Sequence, residues 1–126
     1  MNGYSVKVVY ASKELSAKDK IRIKDFTNAI SLDEATQEQG KLILAVDYFA
    51  KCEVHNEKAE DKDYMKYVIV TKDGTKYVTG SNSFITAFED IADEMADAGE
   101  DEYEIEVYRM ESKNYKGKQF ITCSIV

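Results

Sequence analysis

A β-hairpin is predicted by the stretch YMKYVIVTKDGTKYVTG, residues 64–80. Its two arms are rich in β-branched and aromatic residues, and Asp73-Gly74 between them suits a two-residue type I′ turn. That turn would pair Ile69 with Val78 across the hairpin. One sheet face would then carry Tyr67, Ile69, Thr71, Lys76 and Val78, and the other Val68, Val70, Thr75, Tyr77 and Thr79. Both faces mix apolar and polar side chains, so the sequence does not decide which one faces the core.

The segments around this hairpin extend the pattern in both directions. Upstream lies KLILAVDYFAKCEVHN, residues 41–56, a run of the length expected for a strand that bends around a barrel corner. Downstream, SFITAFEDIADEMADAG has apolar residues at helical spacing, with Ser81 or Ser83 as the N-cap and Gly99 as the stop. Two more strands follow, EYEIEVYRM and QFITCSIV.

The resulting order is strand, strand, strand, helix, strand, strand. It predicts a mostly β, α+β fold, a five-stranded OB-like barrel with its helix between the third and fourth strands. A sheet of another topology covered by one helix would give the same order of elements.

The first forty residues predict an N-terminal extension to this barrel. Tyr4 to Ala11 indicates a strand, and Ser16 with Asp19 has capping-box spacing ahead of a short helix at about Ala17 to Lys24. Ile21 and Ile23 alternate, which leaves a strand open as the alternative. Residues 27–40 are expected to be irregular, with one helical turn at positions 33–36. Residues 1–126 are expected to form one domain, of which 1–40 is the extension and 41–126 the barrel core.

Composition indicates a soluble protein of the cytoplasm. The chain has 126 residues, 44% of them hydrophobic and 33% charged, with a formal net charge of −7. The N-terminus shows no signal-peptide pattern, and no apolar run is long enough to cross a membrane. Cys52 and Cys123 lie in apolar strands, so both are expected to be buried free thiols.

Residues that could support catalysis are sparse, and we expect neither an enzyme nor a cofactor or metal site. His55 is the only histidine, and no nucleophile motif lies beside it. Two cysteines and one histidine do not make a conventional structural zinc site. The loop EKAEDKD lacks the glycine and terminal Glu of a calcium-binding loop. Phosphate-binding glycine motifs are absent from the sequence.

Charge is distributed unevenly along the chain. Between residues 85 and 106 there are ten acidic residues and no basic one, a pattern typical of a solvated helix face. From residue 109 to 118 the balance reverses, in what would be the loop between the fourth and fifth strands. Cations around an aromatic ring suit single-stranded nucleic acid, because the cations neutralise phosphates and the ring stacks on an unpaired base. The loop supplies Arg109, Lys113, Tyr115, Lys116 and Lys118 as candidates.

Other candidate contacts come from the strands. The hairpin adds Lys66, Tyr67, Lys76 and Tyr77, and either tyrosine is a candidate stacking platform or a core residue. Tyr108 and Phe120, together with Tyr48 and Phe49, are weaker candidates on the same reasoning.

Three segments resemble small proteins of Gram-positive phages and conjugative elements, some of them OB-type single-stranded DNA-binding proteins. The segments are GKLILAVDYFAKCEVHNEK, DYMKYVIVTKDGTKYVTGSNSF and YRMESKNYKGKQFITCSIV. The resemblance implies an OB fold and the protection of single-stranded intermediates during phage replication or plasmid transfer. The chain lacks tryptophan, which often stacks on bases, so tyrosine and phenylalanine would have to provide the stacking surfaces.

The sequence therefore predicts a sequence-independent single-stranded DNA-binding protein that acts in the replication or transfer of a phage or mobile element. The alternative is an acidic protein-binding module, such as a phage-encoded inhibitor or DNA mimic that acts on a host protein. Sequence leaves open the preference between DNA and RNA, and whether the chain forms a homodimer or a higher oligomer.

Overall fold

Seven strands and three α-helices make up the protein in a computed structural model, which describes residues 3–113 and 117–126. The strands are β1 Tyr4–Ala11, β2 Ile30–Ser31, β3 Lys41–Asn56, β4 Asp63–Thr71, β5 Lys76–Thr79, β6 Tyr103–Glu111 and β7 Gln119–Ile125. The helices are α1 Ala17–Lys24, α2 Leu32–Gln39 and α3 Asn82–Asp97, and a short 3-10 helix spans Phe26–Asn28. The predicted order of elements from Lys41 onward is confirmed.

The long strand β3 organises the sheet, because it pairs with three other strands. Its first part, Lys41 to Val46, is antiparallel to β6, and its later part is antiparallel to β4 on one edge and β1 on the other. The change of partner coincides with a register shift between Val46 and Tyr48, which places an extra residue, Asp47, in the strand. Such a bulge bends a strand and increases its twist, so β3 follows the curl of the sheet.

The sheet is a curled half-barrel, compatible with an OB-like fold, and it contains more strands than the five predicted. Its order is β2-β5-β4-β3-β6-β7, with β1 alongside β3. In the described residues β7 pairs only with β6, and β5 pairs with β4 and β2. The first turn of α3 lies against β7 instead, where the Ser83 hydroxyl donates to the carbonyl of Ile121 at 2.9 Å. A helix end thus contacts β7 where a closed barrel would have a paired strand.

Two apolar cores lie on opposite sides of the sheet. The larger one, here called the α3 core, packs Phe84 and Phe88 of α3 against Phe49, Ile69 and Ile105 of the strands. The smaller, the α1 core, packs side chains of α1 and its preceding loop against β3 and β4. Its buried members are Leu15, Ile23, Ala50, Cys52, Val68 and Val70.

These two cores explain why the hairpin could not be oriented from sequence. Ile69 faces the α3 core and Val68 faces the α1 core, so both sides of β4 are buried. A strand covered on both sides loses the alternation of apolar and polar residues that would identify one buried face.

The predicted hairpin is present, but the predicted type I′ turn and register are wrong. The structure pairs Ile69 with Tyr77, and Thr71 closes on Thr75 by a 2.9 Å backbone hydrogen bond. The loop therefore has three residues, with only Gly74 at positive φ (87°). A three-residue loop that ends in a left-handed glycine is the next most common hairpin connection, and it shifts the register by one residue.

The strand and the helix predicted before residue 25 are present, whereas the prediction for residues 27–40 is wrong. Helix α1 has the predicted bounds, and the Ser16 hydroxyl accepts a hydrogen bond from the Asp19 amide at 3.1 Å. The expectation of an irregular segment with one helical turn at 33–36 is wrong. That segment contains β2 and the two-turn helix α2, which the Ser31 hydroxyl caps through the Glu34 amide at 3.3 Å. Contact with the rest of the protein stabilises a helix whose sequence alone is too short and polar to specify it.

Both cysteines are buried free thiols, as predicted. Burial raises the pKa of Cys52 to about 11 and that of Cys123 to about 12. Each side chain therefore remains a neutral thiol within its core at physiological pH.

His55 lies between two carboxylates near the end of the β3–β4 hairpin. Its Nδ1 is 2.7 Å from Asp63 Oδ1, and its Nε2 is 2.7 Å from Glu57 Oε1. The hydrogen bonds to Asp63 and then Glu57 raise the pKa of His55 above its ordinary value. The hydrogen bond from His55 lowers the pKa of Glu57.

We expect His55 to make the stability of the fold depend on pH. A raised folded-state pKa means that the stabilising contribution is complete below the unfolded pKa of about 6.5 and is lost as pH rises through the folded value. The free energy of unfolding should therefore fall as pH rises above about 6.5, and His55→Asn should remove that part of the fall. Urea denaturation of both proteins at each pH measures it. An identical pH dependence in the variant would contradict the assignment.

Candidate nucleic-acid interface

The two tyrosines predicted as stacking platforms on the hairpin face the α3 core. Tyr67 is 7% exposed, and its hydroxyl donates to Asn82 Oδ1 at 3.1 Å. Tyr77 is half-buried at the edge of the same core, and burial raises the pKa of its phenol. Tyr67 therefore presents no free ring face to a base, which corrects its assignment as a stacking candidate.

The two hairpin lysines, predicted as phosphate contacts, also have neighbours in the fold. The Lys76 ammonium donates to the backbone carbonyls of Arg22 and Asp25, the latter at 2.6 Å. It thus binds carbonyl groups at the C-terminal end of α1, where the helix dipole is negative. Lys66 is half-buried, with its Nζ 6.0 Å from the centre of the Tyr64 ring.

Replacing Lys76 with methionine should loosen the attachment of α1 to the sheet. Loss of the charged donor removes a hydrogen bond from the carbonyls of Arg22 and Asp25 and leaves the first with the Asp25 amide, and we expect a cost of about 1 kcal/mol in the free energy of unfolding. Lys72→Met, in the adjacent turn, is the matched control and should change stability by less than about 0.5 kcal/mol. Urea denaturation measures both; equal effects would show that Lys76 has no special structural role.

One of the cations predicted for the β6–β7 loop, Arg109, lies in β6 itself. Arg109 is directed to the α2 side, where its guanidinium donates to Thr36 Oγ1 at 3.1 Å and to the Asp33 carbonyl at 2.8 Å. It therefore holds α2 onto β6. Lys113 and Lys118 are exposed on either side of the loop. Tyr115 and Lys116, the other predicted contacts, lie outside the described residues.

The predicted residues Tyr108 and Phe120 belong to a sheet surface that no helix covers. We call it the open face: the part of β3, β6 and β7 that points away from the α3 core. Alternation assigns its members, because Leu42, Leu44, Ile105, Val107, Ile121 and Cys123 are buried in that core. Their neighbours point the other way; they are Lys41, Ile43, Ala45, Glu104, Glu106, Tyr108, Met110, Phe120, Thr122 and Ser124.

Two aromatic side chains lie on the open face. Tyr108 pairs with Thr122 and Met110 pairs with Phe120, so Phe120 is diagonal to Tyr108 across the β6–β7 ladder. The Tyr108 hydroxyl is 2.7 Å from Ser124 Oγ, which fixes the ring along the sheet. Both aromatic side chains remain partly exposed. The hydrogen bond directs the Tyr108 ring towards Ser124, on the diagonal opposite Phe120, so the open face presents two separate aromatic side chains.

Sequence reasoning missed three members of this surface. Ile43 is 52% exposed and Met110 is 46% exposed, which is unusual for large apolar side chains in the middle of a sheet. Lys41 pairs with Tyr108, and its Nζ is 3.7 Å from Glu106 Oε1. The signal was present in KLILAV, where Ile43 is out of phase with Leu42 and Leu44. A continuous apolar run hides that phase until the partner strand is known.

Within residues 3–113 and 117–126, no group of three or more His, Cys, Asp or Glu side chains is placed to hold a metal ion. None of the helices described is long and apolar enough to cross a membrane.

Comparison with known proteins identifies a family for the chain. A family model described as phage single-stranded DNA-binding protein, of the phi29 type, matches residues 4–126. Searches of curated proteins and of solved structures gave no match.

Proposed function

Because the chain belongs to the phage single-stranded DNA-binding protein family, we propose that the DNA strand lies on the open face beside the β6–β7 loop. The observation that supports this placement is the presence of two partly exposed aromatic side chains, Tyr108 and Phe120, on a sheet surface that none of the described helices covers. Unpaired bases stack on such rings, and stacking tolerates any base because every base has a flat π-face.

Each part of the surface has a role in this mechanism. The rings take the bases, while the apolar side chains of Ile43 and Met110 extend the platform and exclude water. Phosphates lie near the cations at its border, Lys41, Lys113 and Lys118. Stacking and phosphate contacts do not read base edges, so they give binding without sequence preference.

The acidic helix supports the same placement of the strand. α3 packs on the opposite side of the sheet from the open face, through Phe84 and Phe88. Its carboxylates repel phosphates on that side, whereas the open face has two carboxylates, Glu104 and Glu106, the second of which is 3.7 Å from Lys41 Nζ. The family match supports DNA binding and gives no support to the alternative of an acidic DNA mimic.

The finer parts of the prediction are retained as proposals. We take residues 1–126 as one unit, which the pairing of β1 with β3 supports, because it joins the extension to the main sheet. We likewise propose that the protein is not an enzyme, that it acts in the cytoplasm and that it binds single strands without sequence preference. Action in a conjugative element and self-association remain predictions from the sequence.

The experiment is a titration of a labelled oligo-dT of about 30 nucleotides, followed by fluorescence anisotropy at low and moderate salt. We expect salt-sensitive binding that an unlabelled single strand of mixed sequence displaces and a duplex does not. The intrinsic tyrosine fluorescence should change on binding, and the chain has no tryptophan to mask it. Absence of binding at low salt, or equal displacement by duplex, would overturn the proposal.

A further inference from the structure

Helix α1 exposes a surface that has no function in the fold. Ile23 is fully buried in the α1 core, and Ile21, two positions earlier, is 66% exposed on the far side of the helix. Exposed basic side chains flank Ile21 on both sides of the helix; they are Lys18, Lys20, Arg22 and Lys24. A single exposed apolar side chain is common on protein surfaces, and Ile21 is distinguished by the basic side chains around it.

The charge of this helix contrasts with that of the whole chain. Residues 13–24 contain five basic and two acidic residues, whereas the chain has a net charge of −7. Among the described residues, Arg22 is the one cation of α1 in an ion pair, with Asp19 at 3.5 Å, and its side chain is 73% exposed. An exposed pair of this kind contributes little and opens readily. The lysines of α1 therefore remain available to an external anion.

The helix lies on the same side of the sheet as the open face. Leu44 and Val46 before the bulge in β3, and Phe49 after it, all face the α3 core. The opposite side therefore includes Ile43 before the bulge and Tyr48 after it, and α1 covers the part near Tyr48. A cleft of about 570 Å³ separates the C-terminal end of α1 from the β4–β5 turn. Its polar lining includes Arg22, Asn28, Tyr48, Thr75 and Lys76.

The orientation of α1 is fixed before any ligand binds. Ile23 anchors one face of the helix in the α1 core, and the Lys76 ammonium holds the carbonyls at its C-terminal end. That ammonium also offsets the negative end of the helix dipole, which would otherwise repel a phosphate. A preset cationic surface loses less conformational entropy on binding than a mobile one.

We infer that α1 is a second DNA-contact surface, which binds the phosphodiester backbone of the strand that lies on the open face. Lys18, Lys20 and Lys24 supply phosphate contacts, and Ile21 packs against a sugar or base between them. This inference rests on the proposed function, since it extends the same strand across one side of the sheet. It makes the bound length of DNA greater than the open face alone could hold.

The test compares two triple variants of the full chain that change net charge equally. Lys18→Gln/Lys20→Gln/Lys24→Gln removes the α1 contacts, and Lys7→Gln/Lys58→Gln/Lys62→Gln is the control on β1 and the β3–β4 loop. Three lost contacts should reduce the slope of log affinity against log salt by about 2, because each single-strand phosphate contact contributes about 0.7. The control should keep the slope of the unmodified chain.

A second variant tests the apolar contact. Ile21→Ser should weaken binding at every salt concentration without changing the slope, and it leaves the folded structure intact because the side chain is exposed. Equal slopes for the two triple variants, together with unchanged affinity of Ile21→Ser, would overturn the inference. If substitutions on the open face abolish binding while those on α1 have no effect, the inference about α1 is wrong and the proposed site on the open face stands. If substitutions on the open face have no effect on binding, the proposed site on that face is wrong.

Discussion

Tyr108→Ala/Phe120→Ala is expected to weaken binding of single-stranded DNA by at least about 30-fold, because each stacked base contributes about 1–3 kcal/mol. The two residues are diagonal neighbours on β6 and β7, and none of the described helices covers them. Tyr108→Phe should retain most of the affinity, because it keeps the ring and loses only the hydrogen bond to Ser124. Anisotropy titrations with oligo-dT at one fixed salt concentration measure all three proteins.

The matched control removes two rings from the other end of the same sheet. Tyr4 and Tyr64 lie on strands that flank the far end of β3, opposite Asn56 and Val54. Tyr4→Ala/Tyr64→Ala should leave affinity within about threefold of the original, since neither ring belongs to the proposed site. Equal losses in both double variants would indicate a general effect on the fold, and unchanged affinity of the first would exclude the open face.

The elements of the fold were predictable where local signals agreed with tertiary structure. The bounds of α1 and β3 followed from a capping serine and from a long β-forming run, and the structure has both as predicted. The predicted register of the hairpin was wrong because Asp73-Gly74 fits a two-residue turn and a three-residue turn equally well. The polar sequence of α2 carries no strong helical period, and its position depends on Arg109, which is 73 residues away from Thr36 in the chain.

The site was predictable in composition and only partly in position. Tyr108 and Phe120 are where a ligand could reach them, whereas Tyr67 is buried and Lys76 and Arg109 bind backbone carbonyls. A lysine or tyrosine near a turn has the same sequence signature whether it contacts solvent or a helix end. The decisive information is which face of each strand the helices cover, and that depends on contacts between distant segments.

The largest loss of stability is expected from Phe88→Ala. Phe88 is fully buried, with its ring centre 4.8 Å from that of Phe49 and 5.8 Å from that of Phe84. Truncation removes buried apolar surface and leaves a cavity, which costs about 3–5 kcal/mol for a core phenylalanine. That is a large part of the 5–15 kcal/mol of stability typical of a small domain, so the unfolding midpoint in urea should fall sharply. Phe88→Leu, which keeps most of the volume, should cost substantially less.

The same variant separates stability from binding. Phe88 faces the α3 core, on the side of the sheet away from the open face, so the folded fraction of Phe88→Ala should bind DNA normally. A ligand that binds only the folded state stabilises it, by about 2.7 kcal/mol at a hundredfold excess over its dissociation constant. Oligo-dT at a hundredfold excess should therefore restore most of the unfolding free energy lost in Phe88→Ala, whereas at the same concentration it should stabilise Tyr108→Ala/Phe120→Ala by less than about 1 kcal/mol. Failure of DNA to stabilise Phe88→Ala would mean that the α3 core and the binding surface are coupled, because the open face would then require intact packing behind it.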